Sequence, residues 1–271
     1  MPELPEVETT RRGLEPHVVG RRVRDVVVRN PNLRWPVPRG IGRRLAGEEV
    51  RAVRRRGKYL LFDVGEGHLL VHLGMSGRLT IVPSESPARK HDHVDVNFEG
   101  AKTLRLTDPR RFGAFLWLPR KAEQHALLRH LGLEPLDRAF TGEALHERAR
   151  GRKVAVKLFL MNSHIVTGVG NIYASEALFR AGIHPLREAG RISRARWDRI
   201  AQAVRETLER AVEKGGTTLR DFASADGAPG YFLAECAVYG REGRPCVRCG
   251  TKVRAIRQAQ RSTFFCPRCQ R

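Results

Sequence analysis

The chain is short of acid. Its 271 residues carry 29 Asp and Glu against 50 Lys and Arg, a formal net charge of +21, and its pI is about 11.0. Such a surface repels itself unless it meets a polyanion, most commonly nucleic acid; an anionic membrane surface is the other partner such charge fits. Long apolar runs are also missing: none approaches the ~20 residues that a bilayer-spanning helix needs. The opening Met1-Pro2-Glu3-Leu4-Pro5-Glu6 is acidic and lacks the basic-then-apolar order of a secretory signal. These absences lead to the expectation of a cytoplasmic protein with no membrane association. Cysteine is scarce, with five residues, and disulfides are rare in that compartment. The cysteines therefore need another use. Internal repeats and low-complexity segments are absent too. A 41% hydrophobic fraction with charges spread along the chain excludes wholesale disorder.

What is present suggests two domains and a small module. Leu4, Val7, Arg11 and Leu14 fall at helical spacing, with Pro5 suited to the first turn and Gly13 and Pro16 marking the end. Eight short β-rich runs follow: Val23–Val28, Val50–Arg54, Tyr59–Val64, His68–Leu73, Arg78–Val82, His93–Phe98, Thr103–Thr107 and Ala114–Leu118. With turn residues between most of them and no long helix intervening, they predict an antiparallel sandwich. Beyond about residue 120 the pattern turns helical, over Lys121–Leu131, Gly142–Arg150, Lys153–Met161, Ile172–Arg180 and Ser193–Lys214. Ser193 reads as an N-cap and Thr141 as a weaker one. Residues 215–230 read as a loop. The expected division is 1–120, 121–235 and 236–271.

Cys246-Val247-Arg248-Cys249 and Cys266-Pro267-Arg268-Cys269 are separated by sixteen residues. Paired CxxC knuckles at this spacing predict one tetrahedral structural Zn²⁺ held by Cys246, Cys249, Cys266 and Cys269. Two disulfides or a redox pair are the alternatives. Cys236 is left over, as a small buried apolar residue. From Arg241 to Arg271 there are nine Lys or Arg and one acid, Glu242, a charge of +8. Four thiolates and one Zn²⁺ reduce this to +6, a charge suited to phosphate.

Pro2 follows Met1, and a small second residue permits removal of the methionine. The product is a secondary amine whose pKa near ~8 leaves roughly a tenth neutral at pH 7. Attack on an aldehydic carbon would give a cationic iminium, which needs no further proton loss at nitrogen. Many proteins begin Met-Pro, so this feature alone decides little.

The run Met1 to Arg12, MPELPEVETTRR, closely resembles the start of the formamidopyrimidine-DNA glycosylases. The resemblance continues through Lys58-Tyr59-Leu60-Leu61, His72-Leu73-Gly74-Met75-Ser76-Gly77 and Asp108-Pro109-Arg110-Arg111-Phe112-Gly113. It runs on through Gly168 to Tyr173, Val238 to Arg241 and Gln260 to Cys266, and so spans nearly the whole chain. It implies an α+β fold with three parts. An N-terminal antiparallel β-sandwich with a leading helix comes first, then a helix–two-turn–helix domain, then a C-terminal zinc-ribbon finger. DNA would lie in a basic cleft between the two larger domains. It further implies a monomer, acting on damaged double-stranded DNA at the nucleoid, that excises 8-oxoguanine and formamidopyrimidines and then cuts the strand by β,δ-elimination.

The resemblance also implies residue roles. Pro2 is the nucleophile, Glu3 the acid that helps open the sugar, and Glu6 a supporting carboxylate. Lys58 and Arg261 assist the two eliminations; guanidinium is a poor acid, so Arg261 is expected to stabilise phosphate. Met75, Arg110 and Phe112 fill the space left by the everted nucleotide. Lys157 and Asn171 hold phosphates, Asn171 reading as an N-cap, and His91 and Arg152 are looser matches to DNA contacts. Residues 215–230 resemble the loop that covers the lesion. Family members often carry Lys where Arg152 and Arg220 stand, which alters contact geometry but not charge. Two other readings remain: an endonuclease VIII-like glycosylase for oxidised pyrimidines, and a non-enzymatic zinc-ribbon DNA-binding protein.

Overall fold

A computed structural model describes residues 2–216 and 232–271. Those residues form two compact units. One runs from Pro2 to Arg129 and takes in Lys214 to Gly216; the other comprises His130–Glu213 and Phe232–Arg271. Arg220 and most of the expected lesion loop lie outside the described residues.

The first unit opens with helix α1, Leu4–Val18. Eight strands follow: β1 Val23–Val28, β2 Val50–Arg56, β3 Tyr59–Val64, β4 Gly67–His72, β5 Arg78–Pro83, β6 Asp92–Phe98, β7 Lys102–Thr107 and β8 Ala114–Pro119. They form two four-stranded antiparallel sheets, ordered β1-β6-β7-β5 and β2-β3-β4-β8. Alternation turns Leu60, Phe62 and Val64 of β3 inward, while β6 and β7 are buried on both faces. These side chains meet Val71, Val94, Phe98, Leu104 and Phe115, with Val7, Leu14 and Val18 of α1, in one core. The sandwich expected from the strand pattern is present.

Helix α1 runs past the end expected at Gly13 and Pro16. Pro16 removes one backbone donor to Arg12, but Arg12 lies on the exposed face. Leu14 and Val18 are fully buried, and that packing outweighs the lost bond. A short helix the pattern did not suggest, α2 Ile41–Leu45, lies between β1 and β2.

The second unit contains α3 Gly142–Ala149, α4 Val156–Leu160, α5 Asn171–Ala181 and α6 Arg194–Glu213, then a hairpin of β9 Arg254–Gln258 and β10 Arg261–Phe265. Thr141 caps α3, its hydroxyl accepting from the Ala144 N–H at 3.1 Å. The helix expected over Lys121–Leu131 is instead a single 3₁₀ turn, Ala122–Gln124, followed by turns. His125 is extended and its ring Nδ1 takes the Leu127 N–H at 3.3 Å, which competes with a helical ladder. The helix expected over Lys153–Met161 shortens to α4, because Ala155 bridges to Glu188 in extended form and the Val156 N–H goes to Arg187.

Candidate DNA-repair site

At the head of α1, Pro2 is buried and Glu3 takes the N-cap position. Glu3 and Glu6 form a reciprocal box: the Glu3 side chain accepts from the Glu6 backbone, and the Glu6 carboxylate accepts the Glu3 N–H at 2.8 Å. Each acid thereby satisfies a donor that a helix start leaves open. Both are at least 97% buried. One turn on, Glu8 ties the helix to the sheet. It accepts from Arg11, Arg12 and, at 3.1 Å, Arg55 of β2. Burial alone would raise the Glu8 carboxyl, but these guanidiniums, Arg11 foremost, hold it below the usual carboxylate range.

Lys58 sits in the two-residue turn between β2 and β3. Gly57, at φ +57°, takes the first turn position, where this kind of hairpin demands glycine. Tyr59 pairs with His72 across β3 and β4, their ring centroids 4.8 Å apart. Burial, then the positive charges of Lys58 and Arg34, push His72 down to about 4. Its neutral ring accepts the Gly74 N–H at Nδ1, 3.1 Å away.

Gly74 opens the loop that carries Met75. At φ +59° it lets this loop touch the Phe112 segment; a Cβ there would stand 2.5 Å from the Phe112 carbonyl carbon. Asp108, fully buried, joins the two loops: one carboxylate oxygen accepts the Ser76 hydroxyl at 3.0 Å, the other the Gly113 N–H at 2.8 Å. The Ser76 hydroxyl in turn accepts the Arg110 N–H. His91 belongs to the same cluster through its carbonyl, which takes the Asp108 N–H. The braced loops leave Met75 38% and Phe112 40% exposed, with the Arg110 guanidinium 4.7 Å over the Phe112 ring. A groove of about 450 Å³ flanks them, lined by Asn32, Leu33, Arg34, Arg110, Arg111 and Phe112.

In the second unit Asn171 is the first residue of α5, and Gly170 takes the cap position expected for it. Lys157 does not snorkel to solvent. It is 1% exposed, and its ammonium donates to Asn171 Oδ1 at 2.6 Å, Thr263 Oγ1 at 2.6 Å and the Ser262 carbonyl at 3.3 Å. Asn171 Nδ2 donates to the same Ser262 carbonyl at 3.0 Å. Lys157 thus braces α4, α5 and the hairpin against one another, next to an exposed Arg261. Arg152 is exposed after α3, and its carbonyl accepts the Gly190 N–H.

The four knuckle sulfurs all lie within 4.8 Å of one another. Sγ separations are 3.9 Å for Cys246–Cys269 and 3.5 Å for Cys249–Cys266. Disulfides require about 2.05 Å, whereas a tetrahedron with Zn–S bonds of ~2.3 Å has edges of about 3.8 Å. Burial and the neighbouring thiols push Cys269 up to about 12, while hydrogen bonding to Thr251 brings Cys249 down to about 6. The set fits one structural Zn²⁺. Cys236 is buried and apart, as expected of a small apolar residue.

Family models match in the same order. The formamidopyrimidine-DNA glycosylase N-terminal domain covers residues 1–115, the H2TH domain of that enzyme 131–223, and the zinc finger found in FPG and IleRS 243–271. The chain belongs to the formamidopyrimidine-DNA glycosylase family. It is 59% identical to the formamidopyrimidine-DNA glycosylase of Syntrophotalea carbinolica, over 100% of both chains. Among solved structures it resembles the MutM (Fpg) protein of Thermus thermophilus, at 41% identity and a TM-score of 0.89, covering 99% of this chain and 98% of that one. It also resembles the wild-type Lactococcus lactis Fpg in complex with an N7-benzyl-Fapy-dG containing DNA, at 33% identity and a TM-score of 0.91, covering 100% of both.

Two residues of this glycosylase carry weight that the sequence did not assign them. Glu176 of α5 is 3% exposed, and its carboxylate accepts three backbone N–H groups leading into the finger: Ala237 at 2.8 Å, Val238 at 2.9 Å and Tyr239 at 2.8 Å. A Glu inside an apolar helix stretch was the available signal. His72 is the other. Its ring stays neutral when folded but has the ordinary value of 6.5 when unfolded. As pH falls from about 6.5 to about 4, the unfolded chain takes up this proton and the folded one does not. The His72 contribution to stability is therefore whole above that window and lost across it. A His72→Gln variant should lose less stability than the native protein between about pH 7 and about pH 4.5, measured by urea unfolding. Equal losses would show that His72 does not titrate in this way.

Proposed function

We propose that this protein is a base-excision glycosylase for oxidised purines that also cleaves the strand at the resulting abasic site. The observation that carries the reading is the head of α1, where Pro2 stands next to the interlocked Glu3–Glu6 box. With Met1 removed, the Pro2 nitrogen attacks C1′ of an everted nucleotide. The N–C1′ bond forms and the bond to the base breaks, the base leaving with the electron pair and taking up the proton that the Pro2 nitrogen gives up. Glu3, one residue away, gives a proton to the sugar ring oxygen as the C1′–O4′ bond opens to an iminium. The cation acidifies C2′; loss of that proton expels the 3′ phosphate, and a second elimination expels the 5′ phosphate. Lys58 serves the first elimination. Arg261 stabilises the departing phosphate of the second. Met75, Arg110 and Phe112 occupy the vacated stack, where a thioether and a ring replace lost stacking and a guanidinium pairs with the orphaned base.

Lys157 serves phosphate binding indirectly, by holding Asn171 and the hairpin in place, while Asn171, His91 and Arg152 meet the backbone. Bound Zn²⁺ is structural and holds the finger folded. We further propose a monomer acting on nucleoid DNA in the cytoplasm, with functional parts at 1–120, 121–235 and 236–271. No helix among the described residues is long and apolar enough to cross a membrane.

The test is reductive trapping. Borohydride added to protein and duplex bearing 8-oxoguanine should yield a covalent adduct whose linked peptide begins at Pro2. An adduct on a lysine, or none with Met-free protein, would overturn the assignment.

A further inference from the structure

The hairpin that presents Arg261 closes through a turn for which its residues are poorly suited. Arg261 pairs with Gln258, which leaves Ala259 and Gln260 as a two-residue loop. Both have positive φ, 44° and 61°. Tight hairpins of this form favour Asn followed by Gly, because a Cβ crowds the left-handed backbone. At the turn before Lys58 the chain uses Gly57 for such a conformation. Among the described residues only four non-glycine positions have positive φ. Two are these, and a third is Arg111, between Arg110 and Phe112. Non-glycine residues in left-handed backbone cluster at functional sites.

The tip is strained but not loose. Gln258 at its base is buried, and its Nε2 donates to the Pro185 carbonyl at 3.4 Å. On the other side, Ser262 and Thr263 are gripped by Lys157 and Asn171. Between these anchors Ala259, Gln260 and Arg261 are all exposed. Glycine would suit the backbone at 260 better, so the fold gives no reason for glutamine there. Only its side chain can.

We propose that Gln260 is a DNA-binding residue, its neutral amide hydrogen-bonding the strand whose phosphate Arg261 meets. This rests on the function proposed above. A carboxamide offers donors and an acceptor together, so it can pair with phosphate or sugar oxygens or with a base edge. Fixed beside Arg261 on a rigid tip, it adds a contact that orients the scissile region without adding charge.

The test uses a substitution that relieves the turn while deleting the side chain. Full-length, zinc-loaded Gln260→Gly should unfold at the same or a higher temperature than the native protein. Its affinity for duplex containing a tetrahydrofuran abasic analogue should nevertheless fall roughly tenfold. Because no charge is removed, the slope of log affinity against log salt should stay unchanged. Ala259→Asn relaxes the same turn and keeps the glutamine, so it should bind as the native protein does. Native affinity in Gln260→Gly would overturn the proposal. So would an equal loss in Ala259→Asn, which would trace the effect to turn geometry, or an altered salt slope, which would trace it to Arg261. Borohydride trapping of the native protein separates this from the parent reading: native protein that forms no adduct removes the function itself, whatever the variants do.

Discussion

With glycine in place of Pro2, duplex affinity should stay within a few fold while base release slows by roughly 10²-fold or more. The substitution keeps an amine at the mature amino terminus, so the loss does not come from deleting the nucleophilic atom. It comes from geometry and from amine class. Proline fixes φ near −65°, so the lone pair has a set direction relative to the chain that follows. That chain is itself held, since the Glu3 N–H is bound by Glu6 at the start of a packed helix. Glycine frees the last joint in an otherwise rigid mount, and a displacement of about 1 Å in a reacting group suffices for the expected factor. Proline also gives an iminium with no hydrogen on nitrogen, whereas a primary amine gives an imine that must stay protonated to act as an electron sink. Single-turnover assays on 8-oxoguanine duplex would place the loss in the chemical step. Unchanged turnover would remove Pro2 from the reaction.

Stripping the zinc, or replacing Cys249 by alanine, should unfold the finger and weaken DNA binding by about 10²-fold or more. The finger cannot stand on apolar packing. Its core consists of Val238, Cys246, Val253 and Cys266 against Phe179 of α5, and two of these five are metal ligands. The damage should spread beyond the metal. Lys157 would lose the Ser262 and Thr263 acceptors and the hairpin that shields it from water, while its bond to Asn171 at the start of α5 is loosened. Hydrogen exchange should therefore rise in α4 and at the start of α5 as well as in the finger. Full affinity after verified metal loss would show that the finger is dispensable for binding.

Much of this was legible in the chain because its strongest signals are local. Alternation in Tyr59–Val64 and its neighbours marks the sandwich, and CxxC spacing marks the metal site. Where a signal depended on partners distant in sequence, it misled. Pro16 ends a helix by local rule, yet Leu14 and Val18 pack the helix through it. Residues 121–131 have helical composition, but His125 turns its ring onto the backbone. Lys157 reads locally as a cation that snorkels to solvent, because the acceptors that keep it buried include groups 14, 105 and 106 residues away. Glu176 offers only an acid in an apolar helix stretch, because its partners lie 61 to 63 residues on.

The buried Asp108 brace has a mechanical corollary. Met75 and Phe112 ride on loops already locked together, so on the function proposed above these two loops need little further ordering to meet a helix. A stiff probe pressed against a polymer leaves the yielding to the polymer. On that proposal, steps weakened by a lesion would give way first, and such a probe would sort sites by softness before any pocket inspects the base.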